Sequence, residues 1–296
     1  MSRVIDLVGN TPLLDVSHLV AKPGVHVLAK CEGNNPASSV KDRAAKGMIL
    51  GALQRGELKP GMRLVEATSG NTGIALAMIA QAVGVEMHLV MPDTLTIERT
   101  QTMKAYGAEV HLVDGSMEAA RDHAAKMVAD SAGTANAFLM LNQFGNPDNP
   151  QAHYKSTGPE IWRDTGGKVT HFVSAMGTTG TIMGTSRYLK EQNPTICIVG
   201  CQPSPGSQIP GIRRWNPEYL PTIYEPSRVD RIIDISTADA VATTRRLARE
   251  ASLFVGMSSG GAAWAALQIA AEIDQGTIVC IACDRGDRYL SSDLFR

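Results

Sequence analysis

Five cysteines in 296 residues, at Cys31, Cys197, Cys201, Cys280 and Cys283, are too few and too scattered for a disulfide framework. No apolar stretch approaches the ~20 residues of a membrane span. The start, MSRVIDLVGNTPLL, has no apolar core of a signal peptide. These absences predict a cytoplasmic protein with no membrane partner. Basic and acidic residues balance at 28 against 29, and no basic run occurs, which argues against nucleic acid as a main partner. Metal-ligand spacing is missing too. There is no HExxH and no second CxxC, and the seven histidines never fall within one helical turn of each other, so no metal is predicted. Tandem repeats and low-complexity tracts are absent.

What is present suits a large core: 44% of residues are hydrophobic and 19% charged. The length fits two domains of ordinary size or one large one. Short apolar runs alternate with helical patterns. Strands are predicted at 25–32, 63–68, 85–92, 109–114, 137–144, 169–176, 195–203, 229–236 and over TIVCIACD. Helices are predicted from Val40, after TSGNTG, over ERTQTMKAYG and MEAARDHAAKMVAD, around AHYKSTGPEIWRD, after GTTGT, from Asp239 and after MSSGG. Such alternation means parallel sheets covered on both faces. NPDNP at 146–150 reads as a break between two α/β units, and 204–227 as an irregular stretch rich in Pro, Gly and Ser. Cys280 and Cys283 form a CxxC inside an apolar run, which reads as buried structural thiols rather than a redox pair.

Three Gly/Ser/Thr loops each follow a strand and open a helix. TSGNTG (68–73) offers backbone N–H groups and hydroxyls suited to a carboxylate. GTTGT (177–181) suits a phosphate but lacks the Lys-Ser/Thr ending of a P-loop, and GxGxxG is absent. GMSSGG (256–261) is the third. Each alone is equally well a capped helix start. The segment NNPASSVKDR (34–43) adds a lysine: Ser38 and Ser39 can cap a helix, and a helical wheel aligns Lys41 with Ala45, Met48 and Ala52, while Asp42, Arg43 and Lys46 point elsewhere. A lysine in a first turn, on a face predicted to be buried, is badly placed as an ammonium ion. An aldehyde cofactor carrying a phosphate accounts for the lysine and the loops together.

GNTPLL, EGNNPASSVKDR, EATSGNTGIALAMIA, KAYGAE, NQFGNPDNP, TGPEIW, MGTTGTIMG, IPGIRRW, GMSSGG and CDRGDRYLS, spread over nearly the whole chain, resemble the cysteine synthase (O-acetylserine sulfhydrylase) family of fold type II pyridoxal-phosphate enzymes. EGNNP, IPGIRRW and CDRGDRYLS resemble its B-type branch, which also takes thiosulfate. The resemblance implies two three-layer α/β/α domains with mostly parallel sheets, as in the tryptophan synthase β subunit. It implies a smaller mobile domain over 36–146, a larger one over 1–35 plus 147–296, and a homodimer. Pyridoxal 5'-phosphate is the implied cofactor. Lys41 would be its Schiff-base lysine, Asn71 would bond the ring hydroxyl, and Gly177, Thr178, Thr179, Gly180 and Thr181 would hold the phosphate. Ser258 would meet the pyridine nitrogen. Thr68, Ser69, Thr72 and Gln143 would bind the substrate carboxylate. The implied reaction is β-replacement on O-acetylserine through an α-aminoacrylate, with sulfide giving cysteine and thiosulfate giving S-sulfocysteine. Arg213 and Arg214 suit the extra oxyanion, with Arg285 and Arg288 as rivals. One letter departs from the pattern: the family usually has glycine at Ser38. Related readings stay open, namely an O-phosphoserine sulfhydrylase, a cystathionine β-synthase, a serine/threonine dehydratase, or a non-catalytic binding homologue.

Overall fold

The computed structural model describes residues 3–68, 70–93 and 97–296. In chain order the elements are β1 (Leu13–Asp15), β2 (Val25–Cys31), α1 (Lys41–Arg55), β3 (Arg63–Ala67), α2 (Asn71–Val83), β4 (Met87–Pro92), α3 (Ile97–Ala105), β5 (Glu109–Val113), α4 (Met117–Ser131) and β6 (Phe138–Met140). Then come α5 (Asp148–Lys155), α6 (Thr157–Asp164), β7 (His171–Ala175), α7 (Gly180–Gln192), β8 (Cys197–Pro203), β9 (Arg231–Ile235), α8 (Thr237–Glu250), α9 (Met257–Glu272) and β10 (Gly276–Ala282). The chain divides into two compact units, Met1–Val8 with Lys41–Asn149, and Gly9–Val40 with Pro150–Arg296. Among the described residues no helix is long and apolar enough to cross a membrane.

The first unit holds a parallel sheet ordered β5-β4-β3-β6. Period-2 alternation sends Val65, Ala67, Val90 and Phe138 to one face, where Ala120 and Ala124 of α4 pack on them. Helices α1 and α2 pack on each other, with α2 against β4, and eight consecutive residues of α2, Gly73–Ala80, are buried. A helix apolar all round belongs in a core, as observed. Gly84 ends it in the left-handed region at φ 73°, with its N–H bonded back to Ala80 and Gln81.

The second unit holds a sheet ordered β1-β2-β10-β7-β8-β9, parallel except for β1. Its central strands are apolar on both faces. Ile278 and Cys280 join the core beneath α8 and α9, while Val279 and Ile281 join that under α6 and α7. These are three layers in each unit, the predicted α/β class. All five cysteines are thiols, and burial pushes Cys280 up to about 12 and Cys31 up to about 11. Cys280 is thus the buried thiol expected, whereas Cys283 of the same CxxC is half-buried, just past the end of β10.

Several expectations need correction. The helix around AHYKSTGPEIWRD is two helices that part at Ser156, and α5 starts at Asp148, inside NPDNP. The strand predicted at 137–144 stops at Met140, because Asn142 turns the chain at φ 54°. Strand β1 escaped prediction. The wheel is right for Ala45, Met48 and Ala52, all buried, but Lys41 is half-buried while Asp42 and Arg43 are buried. Among the described residues the fully buried lysine is Lys30, 0% exposed, whose ammonium meets Glu160 at 2.9 Å, Asp164 at 3.2 Å and the Thr11 carbonyl at 2.7 Å. Removing one partner of such a pair costs about 3–5 kcal/mol.

Candidate active site

In the first unit, α1 begins at Lys41, directly after Val40. The segment before it is tightly specified. Ser38 donates its N–H to the Asn35 carbonyl (2.7 Å), Ser39 bridges Asp284, and Val40 donates to the Cys283 carbonyl (2.8 Å). Arg288 donates to the Ala37 carbonyl. CDRGDRYLS therefore braces residues 37–40. Ser38 has φ 60°, in the left-handed region. That angle accounts for the usual glycine, which adopts it without a Cβ penalty, and leaves the serine of this chain without a structural explanation.

Thr68 ends β3 in a buried position, and its Oγ1 accepts from Gly70 N–H at 3.4 Å. Ser69 lies outside the described residues. Asn71 and Thr72 form the first turn of α2. A Cβ on Gly73 would meet Thr68 Cγ2 at 2.5 Å, so glycine is what lets the helix start close against the strand end. Thr72 Oγ1 donates to Gln143 Oε1 at 2.8 Å, and both residues are buried. Two predicted carboxylate-binding residues, 71 positions apart in sequence, are thus in contact. Gln143 is fixed from behind: Asn149 Nδ2 donates to its carbonyl at 2.7 Å, and Asn142 N–H donates to Glu66 Oε2 at 3.0 Å. Burial raises the Glu66 carboxyl to about 7, with the N–H of Asn142 and the charge of Arg121 acting against that rise.

In the second unit, β7 leads through Gly177 and Thr178 to Thr179, which sits at φ 71° just before α7. A left-handed residue before a helix turns successive N–H groups into a concave anion nest at the positive end of the helix. Gly180 N–H lies 3.5 Å from Thr178 Oγ1. The Thr179 hydroxyl is buried with no hydrogen-bond partner among the described residues. An unpaired buried hydroxyl costs about 1–3 kcal/mol, and a ligand oxygen in the nest would offset that cost. A Cβ on Gly177 would meet the Gly211 carbonyl at 2.6 Å. Trp215 Nε1 donates to the Gly177 carbonyl at 2.8 Å, and Arg213 N–H to that of Met176 at 2.9 Å. IPGIRRW is thereby stitched to the nest. Ser258, in the first turn of α9, is buried, and a Cβ on Gly211 would lie 3.6 Å from its Oγ.

Residues singled out for an oxyanion are placed as follows. Arg214 donates to the Pro203 carbonyl at 2.9 Å and pairs with Asp234 at 2.5 Å. The Arg213 guanidinium stands 5.6 Å from the centre of the Trp215 ring. Arg285 pairs with Asp287 at 3.2 Å. Sequence reasoning missed His153. This buried imidazole bonds Thr157 Oγ1 through Nδ1 (2.8 Å) and Thr181 Oγ1 through Nε2 (3.3 Å), and so orients a hydroxyl of the nest. Thr181 lies 28 residues from it, and no local pattern marks that contact.

The residues present fit pyridoxal phosphate. In the second unit a dianionic phosphate would suit the nest and the Thr179 hydroxyl; in the first, Lys41 is half-buried and is an amine of the kind that forms a Schiff base. The family model described as "Pyridoxal-phosphate dependent enzyme" matches residues 4–284. The chain is 57% identical to "Cysteine synthase B" of Pseudomonas aeruginosa, over 99% of this chain and 97% of that one. It is 54% identical to "Cysteine synthase B" of Escherichia coli, over 100% and 96%. A crystal structure of cysteine synthase from Entamoeba histolytica superposes with a TM-score of 0.93 at 39% identity, covering 100% of this chain and 90% of that one. With a family model matching residues 4–284 and relatives matching nearly the whole chain, this chain belongs to the pyridoxal-phosphate-dependent enzyme family.

Proposed function

We propose that the protein is a cysteine synthase: it replaces the acetoxy group of O-acetyl-L-serine with a sulfur nucleophile. The observation that carries this reading is the nest at 177–181, whose Thr179 hydroxyl has no partner among the described residues, in a chain 57% identical to a cysteine synthase B. Pyridoxal phosphate, when bound, supplies the electron sink that makes the substrate α-carbon acidic. Lys41 takes the α-proton while acetate leaves the β-carbon, and returns it after sulfide has added there. Thr68, Ser69, Thr72 and Gln143 receive the substrate carboxylate, and the Thr72–Gln143 bond presets two of them. Asn71 is assigned to the ring hydroxyl and Ser258 to the ring nitrogen. A neutral serine hydroxyl does not keep that nitrogen protonated as a carboxylate would, which favours elimination over transamination. The smaller, mobile domain belongs to this proposal: carboxylate binding at the TSGNT loop would drive its closure and exclude water. A cytoplasmic homodimer is part of it as well.

Thiosulfate use is the finer part. Arg213 and Arg214 are the candidates for the thiosulfate oxyanion, and Arg214 also pairs with Asp234 and bonds the Pro203 carbonyl. The test is product analysis with purified holoenzyme. Cysteine from O-acetylserine and sulfide, and S-sulfocysteine from thiosulfate, support the reading. Turnover of serine or O-phosphoserine, with none of O-acetylserine, would replace it with one of the related activities.

A further inference from the structure

We propose that the first unit carries a site for a divalent d-block metal ion, formed by His88, Glu109 and His111 on one face of its sheet. Strands β4 and β5 are parallel, with His88 opposite Glu109 and Val90 opposite His111. Period-2 alternation then puts His88, Glu109 and His111 on the same face, the one that carries α4. The linear spacing of these residues follows no metal motif, which is why the sequence predicted no metal. The strand register assembles the site instead.

The ligand atoms converge. His88 Nδ1 lies 2.9 Å from His111 Nε2, and the Glu109 carboxylate oxygens lie 3.7 Å from the former and 3.5 Å from the latter. All fall within 4.8 Å of one another. The edge of a tetrahedral site with bonds of ~2.0–2.1 Å is about 3.3 Å, so the three atoms outline one face of such a site. His88 is buried, and its other nitrogen, Nε2, contacts Glu86 Oε1 at 2.6 Å. A second carboxylate on the far nitrogen fixes the ring, the usual support of a metal-bound histidine, and the hydrogen bond that Nδ1 shares with His111 Nε2 is the contact an ion between the two rings would replace. Phe138 packs edge-on to His88 at 4.7 Å between centroids and holds the ring further. The His123 ring of α4 stands 6.2 Å from His111, and Arg63 approaches Glu86 at 3.8 Å. Two imidazoles and one carboxylate suit Zn²⁺, Co²⁺ or Ni²⁺ better than Mg²⁺ or Ca²⁺, which prefer all-oxygen shells. Three protein ligands leave room for water at the remaining position. The residues belong neither to the phosphate nest nor to the TSGNT loop. The inference therefore stands apart from the proposed reaction.

The experiment uses holoenzyme stripped of adventitious metal with a chelator, then titrated with Co²⁺ and Zn²⁺ and followed by calorimetry and by the visible bands of bound Co²⁺. The expected result is one ion per chain and a raised melting temperature. His111→Gln, at a partly exposed position, and Glu109→Gln, at an exposed one, should weaken binding roughly tenfold or more while keeping the cofactor content of the parent. Absence of stoichiometric binding to the parent protein, or unchanged affinity in both variants, would overturn the proposal.

Discussion

The indole N–H of Trp215 donates to the carbonyl of Gly177 at 2.8 Å, and this bond ties IPGIRRW to the phosphate nest. Trp215→Phe keeps a ring and removes the donor. A net hydrogen bond is worth about 1 kcal/mol, so release of pyridoxal phosphate at equilibrium should be favoured roughly fivefold. Fluorescence titration of apoprotein with cofactor measures it. Unchanged affinity would mean that the bond does not support the nest.

Thr179 gives a prediction whose sign differs between two states. Its hydroxyl is buried without a partner among the described residues. Thr179→Val keeps the shape and removes the oxygen. Apoprotein should gain about 1 kcal/mol in urea unfolding, while affinity for the phosphate cofactor should fall roughly tenfold or more, as expected on losing a bond to a charged group.

Ser38 at φ 60° carries a left-handed penalty of ~1–2 kcal/mol that glycine avoids. Part of the gain is lost to the greater freedom of glycine in the unfolded chain. Ser38→Gly should therefore stabilise by a few tenths to about 1 kcal/mol. Ser38→Val, β-branched at the same angle, should destabilise. Both are read as shifts of the urea midpoint at unchanged slope.

Glu66 is the pH-sensitive anchor behind Gln143. Burial raises its folded value from 4.5 to about 7, so within that window the folded protein binds more protons than the unfolded chain. Stability contributed by this group is therefore lost as pH rises through the window, and ionised Glu66 weighs against folding above it. Glu66→Gln, whose amide oxygen still accepts the Asn142 N–H, should leave stability nearly unchanged at pH 4.5 and raise it by on the order of 2 kcal/mol at pH 8. Urea unfolding of both proteins at the two pH values decides the point, and a gain of equal size at both would contradict it.

Much of this architecture was legible in the alternation itself. Runs such as RLVEAT and VEMHLVMP, both bounded by turn residues, became parallel strands β3 and β4 with little change at their ends. Three residues, Leu13–Asp15, are too short to show a period, so β1 stayed hidden. Periodicity also reports the apolar face of a helix but says nothing of polar groups that find partners. Asp42 and Arg43 are buried for that reason, and Lys41 is less buried than the wheel implied. Short-range motifs carried TSGNTG and GTTGT. Contacts made by register or by distant packing, such as His153 to Thr181, Thr72 to Gln143 and His88 to His111, leave no local mark.

In the proposed active site Lys41 carries the cofactor, at the start of α1. Borohydride reduction of the holoenzyme, followed by peptide mass spectrometry, tests it most directly, because reduction fixes the Schiff-base bond to whichever lysine formed it. The predicted result is a pyridoxyl-phosphate mass on Lys41 alone, with the visible band of the unreduced protein absent in Lys41→Ala. A label on another lysine, or none on reduced protein that holds stoichiometric cofactor, would contradict the account.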